Sequence, residues 1–166
     1  TIIPQEKCFP IYRKMQNPFW EEKIKKIRSR YGNEAIEADD VMKHILRNPN
    51  DGNSAYMFVA DQTPHISMVN FGLKFLNQKT PVFVGYDRLS GRMNVTFVYC
   101  EMEKIKRGHY RVTYHEITPT NQKFEPYEVV KKFHQNLEKT INKNPDNWLW
   151  SHRKWKYKDA IKHFDE

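Results

Sequence analysis

The chain has 166 residues, enough for one domain with a real hydrophobic core, and its 39% hydrophobic and 14% aromatic content excludes a disordered polymer. Its 28 Lys+Arg against 20 Asp+Glu give a net charge of +8 and a pI near 9.4, which favours anionic partners: nucleic acid, an anionic membrane face, or a phosphorylated or acidic ligand. No apolar run approaches the roughly twenty residues of a membrane span, and the start "TIIPQEKCFPIYRK" has no basic region leading into an apolar one, so it does not read as a signal peptide. Cys8 and Cys100 lie in no CxxC and read as reduced thiols of a cytosol-facing protein.

In chain order, "EKCFPIYRK" predicts a short strand ending near Arg13. "NPFWEEKIKKIRSRYG" predicts a helix, with Asn17 as cap, Pro18 at the first helical position, acids leading and bases following. Trp20, Ile24, Ile27 and Tyr31 form its apolar stripe, expected to be buried; Arg28 and Arg30 flank that stripe and Gly32 ends the helix. A shorter helix is expected from about Asp39 to Leu46, then a loop, "RNPNDGNS".

"AYMFVAD" predicts a buried strand with Asp61 at its carboxyl end. "QTPHISMVNFGLKFLNQKT" has no clean periodicity, and Pro81 to Asn94 is ambiguous between strand and helix. "VTFVYCE" and "HYRVTYHEI" predict a hairpin around "IKRGH". "EPYEVVKKFHQNLEKTINKNP" predicts a strong helix with Val130, Phe133, Leu137 and Ile141 on one face, ended by Pro145. Helices mixed with apolar strands indicate an α/β layered domain.

Chemistry concentrates at few positions. Asp61 is either a ligand-facing carboxylate at a strand end or the cap of the following turn. Arg13, Arg28 and Arg30 suit phosphate or carboxylate, whereas the lysines of the same helix read as a solvated face. His134 shares an apolar helix face and reads as a core histidine; His109 and His115 have no metal-like partner spacing. There is no HExxH and no nucleotide-binding glycine loop, so no metal is expected. "PDNWLWSHRKWK" fuses indoles with cations more closely than a core tryptophan or a basic tail alone requires.

Pro145, Trp148, Leu149, Trp150, Ser151, His152, Arg153, Lys154, Trp155 and Lys156 of that segment resemble the closing signature of the bacterial lipid A biosynthesis (lauroyl/myristoyl) acyltransferases. "YRKMQNPFWEEKIKKIRSRYG" resembles the family's Tyr-Arg-Pro block, with Lys14 where Pro is usual, and "VADQTP" its strand ending in Asp-Gln or Asp-His. The stretch from Lys74 to Val112 resembles the Bacteroidetes branch, which implies a helix from Pro81 to about Met93 and a hairpin from Val95 to Ile117.

The resemblance implies a mixed sheet flanked by helices, similar to the glycerol-3-phosphate acyltransferase-like fold. It further implies that residues 1–166 are the carboxy-terminal part of a single acyltransferase domain, incomplete at its amino terminus. The family's catalytic His-x4-Asp/Glu is absent from these residues: positions five after the histidines are Pro49, Asn70, Tyr114, Thr120, Lys139 and Tyr157, and His163 has none. The implied reaction carries a fatty acyl chain from acyl carrier protein to a hydroxyl of a lipid A precursor, with no cofactor. An aminolipid or phospholipid acceptor is the alternative. Arg28 and Asp61 are the implied catalytic residues, and Arg13, Arg30, Gln62, His152 and Arg153 the implied substrate-binding ones. Implied partners are acyl carrier protein, an anionic glycolipid and the membrane surface, at the cytoplasmic face of an inner membrane. The tryptophans Trp148 and Trp150 are expected inward or at the membrane interface, the neighbouring cations on phosphate-bearing lipid. A nucleic-acid-binding module fits the charge, but no RNA- or DNA-binding motif supports it.

Overall fold

The computed structural model describes residues 7–48, 52–90, 93, 95–118 and 124–165. The chain is mixed α/β and forms two compact units, Thr1–Val59 and Ala60–Glu166.

The first unit is built on β1 (Lys7–Tyr12), which lies between β2 (Ile36–Glu37) and β3 (Ser54–Met57), parallel to both. Pro10 sits inside this central strand at no cost to the ladder. The Cys8 and Tyr12 carbonyls, of the same parity, face the β2 side, where pairing begins only at Ile11↔Ile36. Helix α2 (Val41–Arg47) buries Val41 and Ile45, close to its expected bounds. The Phe9 ring stacks on Tyr56 with centroids 5.0 Å apart and meets His44 edge-on at 4.7 Å.

Helix α1 (Pro18–Arg28) begins as expected, with Asn17 Oδ1 accepting from the Phe19 and Trp20 N–H groups. Its orientation overturns the expected burial. The helix ends at Arg28, before Gly32, and the stripe stays largely in solvent: Trp20 is 52%, Ile27 62% and Tyr31 82% exposed. The less exposed face is instead Glu21–Ile24–Arg28, spaced at three and seven residues, of which Glu21 and Arg28 bond the end of β1. Polar anchors set that rotation, as described below.

The expected strand toward Asp61 is also shorter than its apolar pattern. β3 ends at Met57, an edge strand with no buried residue, and Asp61 follows four positions later in a bend. Residues 49–51 of the preceding loop lie outside the described residues.

The second unit has β4 (Phe71–Phe75) between antiparallel β5 (Gln78–Val82) and parallel β8 (His163–Asp165). Leu76 and Asn77, at φ 48° and 59°, close the β4–β5 hairpin as a tight two-residue turn. The helix expected from Pro81 is therefore corrected: Pro81 and Val82 are strand, and helix α3 covers only Asp87–Ser90. The β-propensity of "PVFV" prevails. Pro81 is tolerated because β5 is an edge strand. Residues 91, 92 and 94 lie outside the described residues. Gly72 permits a close approach, since a Cβ there would lie 2.5 Å from Ile161 Cδ1.

Strands β6 (Phe97–Lys106) and β7 (His109–Thr118) form the expected hairpin. Helix α4 (Glu128–Lys143) buries Val129, Val130, His134, Leu137 and Ile141, with Phe133 half-buried. It starts at Tyr127, held at φ 67° by an N–H bond to Asp87 Oδ2 (2.8 Å) and by stacking on Phe71 at 4.0 Å. Phe75, with no exposure, anchors the core, a burial that contributes about 2–3 kcal/mol.

Candidate active site

In the first unit, two polar links join α1 to the end of β1. Tyr12 Oη donates to Glu21 Oε1 at 2.9 Å, while Glu21 Oε2 accepts the Met15 N–H at 2.8 Å. The Met15 N–H, with Tyr12 and nearby lysines, holds the Glu21 carboxyl below its ordinary range. Burial and the Glu21 carboxylate together push the Tyr12 phenol up to about 12. The Arg28 Nη1 donates to the Ile11 carbonyl at 3.1 Å, and the guanidinium lies 5.8 Å from the Tyr12 ring centroid. Arg28 is thus half-buried and fixed to the strand, with its other N–H groups unspent among the described residues. Arg13 and Arg30 are exposed; Arg30 lies over the Tyr31 ring at 5.6 Å.

In the second unit the loop after Ala60 meets the tryptophan segment, ninety residues on. The Thr63 backbone N–H donates to His152 Nε2 at 3.0 Å, and Thr63 Oγ1 donates to the Arg153 and Lys154 carbonyls at 2.9 and 2.6 Å. His152 Nε2 is therefore an acceptor, and a ligand can address this ring only through its other nitrogen. The Arg153 side chain is exposed.

Lys154 departs from the expectation that these cations face lipid phosphate. Its side chain is 1% exposed; Nζ donates to the Gln62 carbonyl at 3.2 Å and stands 5.9 Å from the Phe75 ring centroid. Burial pulls its ammonium down to about 8, and the charge of Asp61 pulls the other way. His134 lies in the same interior. Burial, with the Lys154 charge, drives its imidazole down to about 3. The neutral ring bonds the Val130 carbonyl through Nδ1 at 2.9 Å, as a core histidine would, and leaves Nε2 with no hydrogen-bond partner among the described residues.

The tryptophans divide in three ways. Trp148 is half-buried, 6.3 Å from Phe75 between centroids, whereas Trp150 is exposed, with its indole N–H on the Pro145 carbonyl at 2.7 Å. Trp155 donates to Thr80 Oγ1 at 2.7 Å and fastens the segment to β5.

Asp61, Gln62 and His152 thus share one neighbourhood in the second unit, while Arg13, Arg28 and Arg30 belong to the first. Thr63 and Thr80 were not singled out from the sequence, and Lys154 was marked only as one of the segment's cations. Locally Lys154 looks like Lys156, and only contacts to residues some ninety positions away separate them. Chemically, the neighbourhood offers a buried amine bonded to the Gln62 carbonyl, its ammonium pulled down to about 8 by burial and favoured by the Asp61 charge.

A family model described as bacterial lipid A biosynthesis acyltransferase matches residues 2–157, a span that includes both the Asp61 loop and the tryptophan segment. No curated protein matches the chain.

Proposed function

The chain belongs to the bacterial lipid A biosynthesis acyltransferase family, and from that premise we propose that it serves transfer of a fatty acyl chain from an acyl carrier protein thioester to a hydroxyl of a lipid A precursor. The observation that carries this reading is the family match over residues 2–157, nearly the whole chain. The binding of the Asp61 loop to the closing segment through Thr63, His152 and Lys154 supports it.

In this reaction the acceptor hydroxyl oxygen attacks the thioester carbonyl, its proton passes to a general base, and a tetrahedral oxyanion forms. Collapse to the ester breaks the C–S bond, the carrier leaving as a thiolate that takes back the proton held by the base. No His-x4-Asp/Glu occurs in the 166 residues, so none of their histidines is assigned that role. Asp61 and Arg28 are proposed to serve catalysis, Asp61 as a fixed carboxylate and Arg28 as a donor to developing or resident negative charge. Arg13, Arg30, Arg153, Gln62 and the free edge of His152 are proposed to bind anionic and polar groups of acceptor or carrier. No cofactor is needed, because the thioester supplies the activated acyl group. The proposed setting is the cytoplasmic face of an inner membrane, although no helix among the described residues is long and apolar enough to cross one.

Mass spectrometry of lipids from a strain lacking the full gene tests this directly. Loss of one acyl chain from lipid A supports the proposal, and a changed aminolipid with normal lipid A would keep acyl transfer but replace the acceptor. Unchanged lipids, together with tight RNA or DNA binding in filter assays across a salt series, would overturn it.

A further inference from the structure

The β6–β7 ribbon has two unlike faces. On one, Tyr99 is buried and its hydroxyl donates to Thr140 of α4 at 2.9 Å. Glu101 and Glu103 share that face, and both are matched: His115 lies 2.6 Å from Glu101, Arg111 3.4 Å from Glu103, and Lys143 3.7 and 3.5 Å from the two. On the other face the register pairs Cys100↔Tyr114, Met102↔Val112 and Lys104↔Tyr110. Nothing among the described residues covers it: Met102 is 54% and Tyr110 58% exposed, with Val112 and Tyr114 little less. A ribbon with one face in water would carry polar residues there.

We infer that this bare face is an interfacial surface that seats on an anionic lipid bilayer. The charge arrangement selects the occupant. The ribbon's acids lie on the covered face or, as Glu116, opposite Val98 at the end away from the turn, while Lys104, Lys106 and Arg107 gather at the turn. Nucleic acid would engage those cations but gain nothing from Met102 and Val112. A bilayer takes both, phosphates at the cations and the acyl boundary at the aliphatics, with the Tyr110 and Tyr114 rings spanning the interface. The choice of a bilayer rests on the acyl-transfer reading, whose acceptor is a lipid; the face itself does not depend on it.

The test is co-sedimentation of the 166-residue chain with vesicles of phosphatidylglycerol and phosphatidylcholine, against phosphatidylcholine alone. Met102→Glu/Val112→Glu should lower binding at least about tenfold, and each of Lys104→Glu and Lys106→Glu about fivefold. These side chains are exposed, so the variants should melt with the parent. As a second readout, a bimane on Cys100 in a Cys8→Ser background should become shielded from aqueous iodide when anionic vesicles are added. Unchanged binding in all variants, or a label equally quenched with and without vesicles, would overturn the inference. So would a dimer that dissolves in Met102→Glu/Val112→Glu, which would make a second copy the occupant. Altered lipid A in the deletion strain combined with ribbon variants that still bind would keep the acyl-transfer reading and reject this one.

Discussion

Lys154 donates from Nζ to the Gln62 carbonyl at 3.2 Å, from a side chain almost entirely out of water. Its ammonium titrates near 8 in the folded chain against 10.5 for an ordinary lysine. Between those values the unfolded chain keeps the proton that the folded chain has released, so this group makes stability rise with pH across the window. Lys154→Met should abolish that contribution and leave the Gln62 carbonyl unmatched, at about 1–3 kcal/mol. Urea unfolding of both proteins at about pH 7.5 and 9.5 checks it. The parent should gain roughly 1–2 kcal/mol over the variant between the two. A constant difference would show that Lys154 is not desolvated.

His134 supplies the acid counterpart. Its folded value near 3 lies below the ordinary 6.5, so the neutral core histidine is unstrained above 6.5 and costs stability as pH falls toward 3. His134→Leu, similar in volume, should lose roughly 2–3 kcal/mol less than the parent between about pH 6.5 and 4. Parallel acid-unfolding curves would remove the histidine from the cause.

Two indole hydrogen bonds of equal length, 2.7 Å, should differ in worth. Trp155 serves the fully buried Thr80, whereas Trp150 is exposed. Trp155→Phe should cost about 1–2 kcal/mol and Trp150→Phe under about 0.5 kcal/mol in thermal melts. Equal effects would mean that the tryptophan segment is not fastened through Thr80.

In enzyme expressed from the complete gene, Arg28→Ala and Asp61→Ala should each lower kcat/KM by about a hundredfold or more, and Lys25→Ala, on the exposed side of α1, by less than about threefold. Because Arg28 also bonds the Ile11 carbonyl, its variant should melt lower as well; Arg28→Lys, which keeps a donor but not the fork, tests whether the activity loss exceeds the stability loss. Full activity in Asp61→Ala would remove it from the chemistry.

The 166-residue chain by itself should show no acyl transfer above background, because it holds no His-x4-Asp/Glu to supply and orient a general base. Turnover with an acyl carrier protein thioester, followed by mass spectrometry, checks this, and any catalysed product would relocate the base to a histidine of this chain.

The long elements were legible because local signals agreed: the Asn17-Pro18 start of α1, the period of α4, and the strand-turn-strand pattern around Gly108. Where signals competed, the misjudgements have physical causes. The stripe Trp20–Ile24–Ile27 suggested the inward face of α1, but a helix turns toward its strongest anchors, here Tyr12–Glu21 and Arg28–Ile11, and no periodicity encodes those. Pro81 read as a helix start because an edge strand that spares its nitrogen is a tertiary fact. The partners of Gln62 and Thr63, beside Asp61, were hidden for the same reason, since they come from the far end of the second unit.

That separation also governs how the second unit is born. Strand β4 becomes a central strand only when β8, from His163 onward, lies alongside Phe71–Leu73. While a ribosome is still adding the intervening residues, β4 presents one open edge of unpaired N–H and C=O groups, a template for pairing with any neighbouring nascent chain. Trimming the three residues of β8 would leave that edge open in every molecule made.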